Sequence, residues 1–240
     1  MLCHGLFLIA GSLMFFCLYF GFSWNFLPKI SFSSNILNIF LIIQFPFFHS
    51  FLLSRRGKRV LKYFYSNKYG DTLDTTIYAS IASFQLIVLF LFWHPSGTLL
   101  WVAEGILFNI LTVGYVMGWL MLSVSSIQAG FGVQTGSLGW TALYKRRPVK
   151  FPDMPTQGLF KFIRHPIYLS FSIILWISPY LTVDKLVIGF LYALYCYFAP
   201  LLKERRFLKI YGDRFEKYQL CTPYFFPKIF AFLGKLRISK

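Results

Sequence analysis

The sequence predicts an all-α integral membrane protein, and three observations support this fold class. Hydrophobic residues make up 57% of the chain and charged residues only 13%, whereas a soluble domain carries about 25% charged residues. Aromatic residues reach 21%, which is more than one soluble core of this size needs. The apolar residues also fall in long runs, most of them close to the roughly 20 residues that cross a bilayer as a helix. The excess apolar surface is therefore expected to face lipid.

Six apolar runs predict about six transmembrane helices. They lie at residues 2–22, 35–53, 77–93, 99–122, 167–181 and 186–202. The last two are shorter than a full span prefers, so they predict either two thin spans or a tight helical hairpin. A single polytopic domain is expected over residues 1–240. Its parts are four spans within residues 1–122, a cytoplasmic loop at 123–166, a C-terminal helical pair at 167–202 and a cytoplasmic interfacial tail at 203–240.

The basic residues predict the orientation of the chain in the membrane. The sequence contains 24 lysines and arginines, and most of them cluster at residues 54–76, 123–166 and 203–240. Only Lys29 and Lys185 lie elsewhere. With six spans the three basic segments fall on one side, which the positive-inside rule makes cytoplasmic together with both termini. The same distribution argues against nucleic-acid binding, because the charges flank spans and form no single stripe.

The segment after the last apolar run predicts an amphipathic helix at the membrane interface. Its aromatic residues share one helical face, and they are Phe207, Tyr211, Phe215 and Tyr218. The other faces are charged and mostly basic, which suits lipid headgroups. Glu204 is an exception, because it is an acid among three basic residues. It is expected either to form a local ion pair or to bind a cationic or hydroxyl group of a ligand.

The segment 158–168 reads Gly-Leu-Phe-Lys-Phe-Ile-Arg-His-Pro-Ile-Tyr and leads directly into an apolar run. Pro166 suits the first position of a helix, whose first turn then presents free N–H groups and the positive end of the helix dipole. Arg164 adds a planar donor fork that suits a carboxylate or phosphate. This pattern predicts a site for an anionic ligand at the membrane surface. The alternative is that Arg164 and His165 only anchor a helix end at the headgroups.

Neither the four cysteines nor the four histidines show the spacing of metal ligands, so no metal site is expected. His49 lies inside an apolar run and is expected to be a structural histidine with a hydrogen-bonding partner.

Two segments resemble the C-terminal half of the isoprenylcysteine carboxyl methyltransferase superfamily of membrane enzymes. They are residues 158–168, with the Arg-His-Pro-x-Tyr motif, and residues 204–218, which contain Gly212. The chain looks most similar to the methanethiol S-methyltransferase branch. The stretches that support this branch lie at residues 76–81, 92–95, 118–119, 131–134 and 176–179. Two features depart from the family pattern: Lys203 replaces the first glutamate of a Glu-Glu pair, and Ser-Ser-Ile-Gln-Ala at 125–129 replaces acidic and histidine residues.

The resemblance implies a methyltransferase that uses S-adenosylmethionine. Arg164 would hold the carboxylate of this cofactor and Glu204 its amino group or a ribose hydroxyl, while Pro166 and Tyr168 would complete the pocket. His165 would position the acceptor or remove a thiol proton. The implied acceptor is a small apolar thiol such as methanethiol or a lipid-borne prenylcysteine carboxylate. It would enter from the membrane lipids, and the cofactor would enter from the cytoplasm.

Two other functions remain open at this point. One alternative is a non-enzymatic assembly or binding protein that keeps the fold. The lysine at position 203, where the family pattern has a glutamate, favours this alternative. A sterol-type membrane reductase is a further alternative, because such enzymes share a similar C-terminal region. Binding of S-adenosylmethionine, of no cofactor or of NADPH would distinguish the three.

Overall fold

The computed structural model describes residues 2–24, 26, 34–61, 63 and 69–227. Five long helices are α1 Leu2–Tyr19, α2 Ser34–Leu52, α4 Gly70–Phe92, α5 Gly105–Gln128 and α9 Val183–Tyr211. Shorter helices are α3 Arg55–Leu61, α6 Phe131–Gln134, α7 Ser137–Tyr144, α8 Pro166–Trp176 and α10 Asp213–Cys221. Two strands, β1 Leu99–Val102 and β2 Tyr180–Thr182, form one antiparallel pair, and a 3-10 turn spans Gly158–Lys161. The end of the predicted tail, 228–240, and the basic residues Lys29, Lys62 and Lys68 lie outside the described residues.

The prediction of an all-α integral membrane fold is confirmed. The five long helices are long and apolar enough to cross a bilayer. No more than 28% of the most apolar window of each helix is buried inside the protein. The apolar residues that remain exposed on these helices therefore face lipid.

The helical pair predicted at residues 167–202 is unequal in length. Helix α8 has 11 residues and rises only about 16 Å. Helix α9 has 29 residues, so it is longer than the sequence predicts. The charges that begin at Lys203 end the apolar run but not the helix, because Lys, Glu, Arg and Leu all favour helix.

The short helix α8 and the extended chain after it together cover the length of α9. His165, at the start of α8, contacts Glu204 near the end of α9. Tyr180, beyond the end of α8, accepts a hydrogen bond from Lys185 at the start of α9. At a rise of about 1.5 Å per residue, Lys185 and Glu204 lie roughly 30 Å apart, which is the thickness of a bilayer core. Residues 166–182 thus run alongside the apolar part of α9, first as a helix and then as extended chain, which is long enough for the sixth crossing that the sequence predicts.

The extended part of this segment pairs with β1, a strand that the sequence does not predict. Val102 pairs with Tyr180 and Trp101 with Leu181, and the N–H of Ala103 donates to the carbonyl of Pro179 at 2.9 Å. The pairing satisfies backbone groups that would otherwise be unpaired next to lipid. Strand β1 lies within the apolar run 99–122, and hydrophobicity alone cannot separate a short apolar strand from the start of a helix.

Helix α2 joins its neighbours through polar contacts. Pro46 lies inside α2 and has no N–H, so the carbonyl of Ile42 loses its helical donor. The hydroxyl of Tyr192 on α9 donates to that carbonyl at 3.3 Å. On the other side, Gln85 of α4 donates to the side-chain oxygen of Gln44 at 2.9 Å. These bonds fix α2 against α4 and α9 inside the membrane.

The tail helix predicted over residues 203–218 is divided in two. Helix α9 ends at Tyr211, and Gly212 has a φ of 50° before α10 begins. Glycine adopts this backbone conformation without a steric penalty. The aromatic face still assembles, because the ring of Phe207 lies 5.4 Å from Tyr211 and 5.5 Å from Phe215.

Contacts between elements define two ends of the molecule. At one end, Gln128 accepts from the backbone of Leu159 and His165 meets Glu204. At the other, Asn38 bonds to His94 and Trp93 to Asp184. Among the described residues, every lysine and arginine except Lys185 belongs to the segments of the first end. This asymmetry agrees with the charge pattern on which the orientation rests, and the cytoplasmic placement of that end stays a prediction.

Candidate active site

A buried carboxylate forms the centre of the candidate site. Oε1 of Glu204 accepts from Nε of Arg164 at 2.7 Å and lies 2.8 Å from Nε2 of His165. The three side chains are 9%, 12% and 4% exposed, respectively. The predicted residues Arg164 and His165 are therefore brought together with Glu204. In this structure, however, Arg164 and Glu204 bind each other.

The end of α10 and the segment after it fold back over Arg164. Nη1 of Arg164 donates to the carbonyls of Gln219 at 2.9 Å and Thr222 at 2.6 Å. Its backbone N–H donates to the carbonyl of Pro223 at 2.9 Å. The side-chain amide of Gln219 donates to Oε2 of Glu204 at 2.7 Å. These contacts were not predicted, because neutral side chains and backbone carbonyls carry no charge or spacing signal in the sequence.

Tyr224 forms an aromatic wall of the site that the sequence analysis also missed. Its ring centroid lies 4.9 Å from that of His165, and the guanidinium carbon of Arg164 lies 5.4 Å from the ring. Such a cation–π contact favours a fixed guanidinium. The hydroxyl donates to the carbonyl of Tyr197 on α9 at 2.6 Å. Burial raises the pKa of Tyr224 to about 12, so this hydroxyl stays neutral at physiological pH.

The hydrogen bond to Glu204 sets the tautomer of His165. A carboxylate only accepts hydrogen bonds, so the hydrogen of a neutral imidazole must lie on Nε2. Nδ1 then carries the lone pair, and it is buried with no hydrogen-bond partner among the described residues. Burial lowers the pKa of His165, although the hydrogen bond to Glu204 opposes this effect. His165 is thus a neutral proton acceptor at physiological pH.

The other two predicted site residues lie at the start of α8. Pro166 is the first residue of the helix and is buried. The ring of Tyr168 lies 6.0 Å from that of His165. The side chain of His165, the residue before the helix, makes no capping hydrogen bond to the first turn of α8.

The site retains binding capacity for a zwitterionic amino-acid group. Nη2 of Arg164 has no hydrogen-bond partner among the described residues. The Glu204 carboxylate accepts three hydrogen bonds of the roughly four it can accept. The ammonium of Lys203 lies 5.2 Å from the centre of the Phe207 ring, and this cation–π contact holds it at the aromatic face of the tail. The residues therefore fit the amino-acid part of S-adenosylmethionine.

Comparison with known proteins identifies relatives. The chain is 27% identical over 186 residues to Methanethiol S-methyltransferase 1 of Bradyrhizobium diazoefficiens, covering 77% of the chain and 64% of that protein. It is 27% identical over 230 residues to Methanethiol S-methyltransferase of Crocosphaera subtropica, covering 91% of the chain and 87% of that protein. The chain is thus similar over most of its length to proteins named methanethiol S-methyltransferase. The resemblance that the sequence predicts is thus confirmed.

A more distant relative carries a different name. The chain is 23% identical over 164 residues to Nurim of Homo sapiens, covering 65% of the chain and 61% of that protein. The match to the Bradyrhizobium protein likewise spans less than two thirds of that protein's length. No protein-family model and no solved structure matches the chain.

Proposed function

We propose that this protein is a membrane methyltransferase that uses S-adenosylmethionine to methylate a small apolar thiol. The observation that carries the proposal is the buried Glu204 carboxylate, which joins a guanidinium to an imidazole with a free Nδ1. The names of the bacterial relatives supply the reaction class.

Arg164 and Glu204 are proposed to hold the cofactor. Nη2 of Arg164 suits its carboxylate, since guanidinium groups bind carboxylates in a planar geometry. The remaining capacity of Glu204 suits its amino group or a ribose hydroxyl. When bound, S-adenosylmethionine supplies a methyl group on a positively charged sulfur. Helix α8 contributes Pro166 and Tyr168 to the same pocket.

His165 is proposed to receive the proton of the acceptor. A thiol is mostly protonated at neutral pH, and only the thiolate is a good nucleophile. The S–H bond breaks, and the hydrogen forms a new bond to Nδ1 of His165. The carboxylate of Glu204 stabilises the resulting imidazolium. A prenylcysteine carboxylate is already ionised and needs no such base, so the arrangement favours a thiol acceptor.

A direct assay tests this function. Detergent-solubilised protein is incubated with radiolabelled S-adenosylmethionine and separate thiols, prenylcysteines and phospholipids. We expect label transfer to a small apolar thiol, and loss of that transfer in His165→Ala. Transfer to the prenylcysteine alone would support the carboxylate acceptor. NADPH binding without S-adenosylmethionine binding would support the reductase alternative.

One observation favours a non-enzymatic binding protein as the second candidate. Arg164, His165 and Glu204 already satisfy one another, and Lys203 replaces an acid at the adjacent position. The relationship to nurim, whose name states no reaction, is consistent with this candidate. A thermal-shift titration separates the two, because S-adenosylmethionine raises the melting temperature only of a protein that binds it.

A further inference from the structure

An apolar groove of about 530 Å³ runs between α2 and α9 in the membrane region. Its lining includes Ile43, Pro46, Leu194, Tyr195 and Phe198. The groove is open toward the lipid, because Ile43 is 58% exposed and Phe198 55% exposed. A ligand that fills this groove must be apolar along its length.

A polar cluster lies at the end of the groove that faces the candidate site. The hydroxyl of Tyr195 bonds to that of Ser50 at 3.0 Å. His49 follows Pro46 by one helical turn on the same face of α2, and its Nε2 lies 2.7 Å from the hydroxyl of Tyr78. The structural partner expected for His49 is therefore Tyr78. Nδ1 of His49 remains buried with no hydrogen-bond partner among the described residues.

The cluster experiences a positive charge and borders the candidate site. Arg206 of α9 interacts electrostatically with His49, Tyr78 and Tyr195. Tyr168 lies near Tyr195 and Arg206, and its ring centroid lies 6.0 Å from that of His165. Tyr168 thus lies between the polar cluster at this end of the groove and the candidate site.

We propose that this groove is the docking site of the apolar thiol acceptor before methyl transfer, with the alkyl part between α2 and α9 and the sulfur beside His49 and Tyr195. From there the sulfur passes Tyr168 to reach Nδ1 of His165. The inference rests on the proposed methyl transfer and assigns its acceptor site. A thiol is a weak donor and a weak acceptor, so it can satisfy Nδ1 of His49 in either tautomer.

Photolabelling tests the binding site independently of catalysis. An alkanethiol that carries a diazirine is irradiated with the detergent-solubilised protein, and labelled peptides are identified by mass spectrometry. We expect label in α2 and α9, and we expect Leu194→Trp to abolish it. An alkanethiol should compete with the probe at a concentration at least tenfold lower than that needed for the alkanol of equal length. Val187→Trp is the matched control, because Val187 lies on α9 outside the groove and is 46% exposed.

Two outcomes of the labelling would overturn the assignment. One is label spread evenly over the lipid-facing residues of all helices. The other is equal competition by the alkanol, which would show that the groove binds alkyl chains without recognising sulfur. Specific labelling without any methyl transfer would leave the groove assignment standing and count against the proposed enzyme function.

Kinetics provide the second test. His49→Gln and Tyr195→Phe are expected to raise the KM for the thiol at least tenfold and to leave kcat and the KM for S-adenosylmethionine within twofold. Two variants on different helices guard against a folding defect in one of them. A fall in kcat with an unchanged thiol KM would refute a role in acceptor binding.

Discussion

Glu204 determines the geometry of the candidate site at the scale of single residues. Its carboxylate accepts from Arg164, His165 and Gln219. A buried charge is retained only when it is paired, so the three donors and the acid depend on one another. Because this carboxylate binds Nε of Arg164 and Nε2 of His165, it leaves Nη2 of Arg164 for a ligand and Nδ1 of His165 for a proton.

Removal of the Arg164 side chain should weaken cofactor binding. Arg164→Ala is expected to weaken S-adenosylmethionine binding by roughly 2–5 kcal/mol, the range for truncation of one partner of a buried charge pair. Arg164→Lys should restore only part of this affinity, because lysine lacks the planar donor fork. Arg205→Ala is the control, since Arg205 is exposed on the same helix as Glu204. Equilibrium binding measures the effect, and equal affinity in wild type and Arg164→Ala would contradict the site.

The charge of Lys203 should shift the acid limb of the pH profile. Burial lowers the pKa of His165, Glu204 opposes this shift, and the positive charges of Lys203 and Arg164 reinforce it. A neutral His165 is needed to accept a proton, so the rate should rise as pH increases through this pKa, with a midpoint below about 6.5. Lys203→Gln removes a positive charge and should move the midpoint to higher pH. Arg205→Gln should leave the midpoint in place, and a shift of Lys203→Gln to lower pH would refute the argument.

Only part of the candidate site can be predicted from the sequence, and the reason is physical. Arg164, His165 and Glu204 are visible because charged residues beside apolar runs require an explanation. Gln219, Thr222 and Tyr224 reach the site only because the chain turns at Gly212 and folds back. They contribute backbone carbonyls, an amide and a ring, and nothing in their local sequence marks such roles.

Among the helices and strands, some follow from the local sequence pattern and others depend on features that hydrophobicity does not show. The long helices follow from the length of their apolar runs. The true end of α9 does not, because helix-favouring charged residues continue it to Tyr211. Strand β1 depends on pairing with β2, which lies far away in the sequence.

Gly212 should control the position of α10. Its φ of 50° is costly for any residue with a side chain, although an added Cβ would meet no atom within 4 Å. Gly212→Ala is therefore expected to destabilise the fold by roughly 1–3 kcal/mol through backbone strain alone. It should also weaken cofactor binding, because α10 positions Gln219 and Thr222 against Arg164. Denaturant unfolding and equilibrium binding measure the two effects.

Gly11→Ala provides the matched control for Gly212→Ala. Gly11 lies in α1, and a Cβ there would also meet nothing within 4 Å. Because its conformation is helical, alanine should be neutral or slightly stabilising at this position. If Gly212→Ala were equally well tolerated, the left-handed turn would not be the device that places α10.

The whole molecule is polarised between its two ends. The candidate site, Cys221 and nearly all described basic residues share one end. The other end holds the sheet and Lys185, whose ammonium is buried and donates to the hydroxyl of Ser178. This arrangement satisfies the positive-inside rule only if the site end is cytoplasmic, where a water-soluble cofactor would be available.

Accessibility of single cysteines tests this orientation. Cys221 is exposed at the site end, whereas Cys3, Cys17 and Cys196 are buried. A membrane-impermeant maleimide should therefore label the wild-type protein only after the membrane is permeabilised. In Cys221→Ser with Thr98→Cys, intact cells should be labelled directly, because Thr98 is exposed beside β1 at the opposite end. Labelling of Cys221 in intact cells would place the candidate site outside the cytoplasm. That result would contradict the positive-inside rule for this protein and would separate the site from the cytoplasmic supply of S-adenosylmethionine.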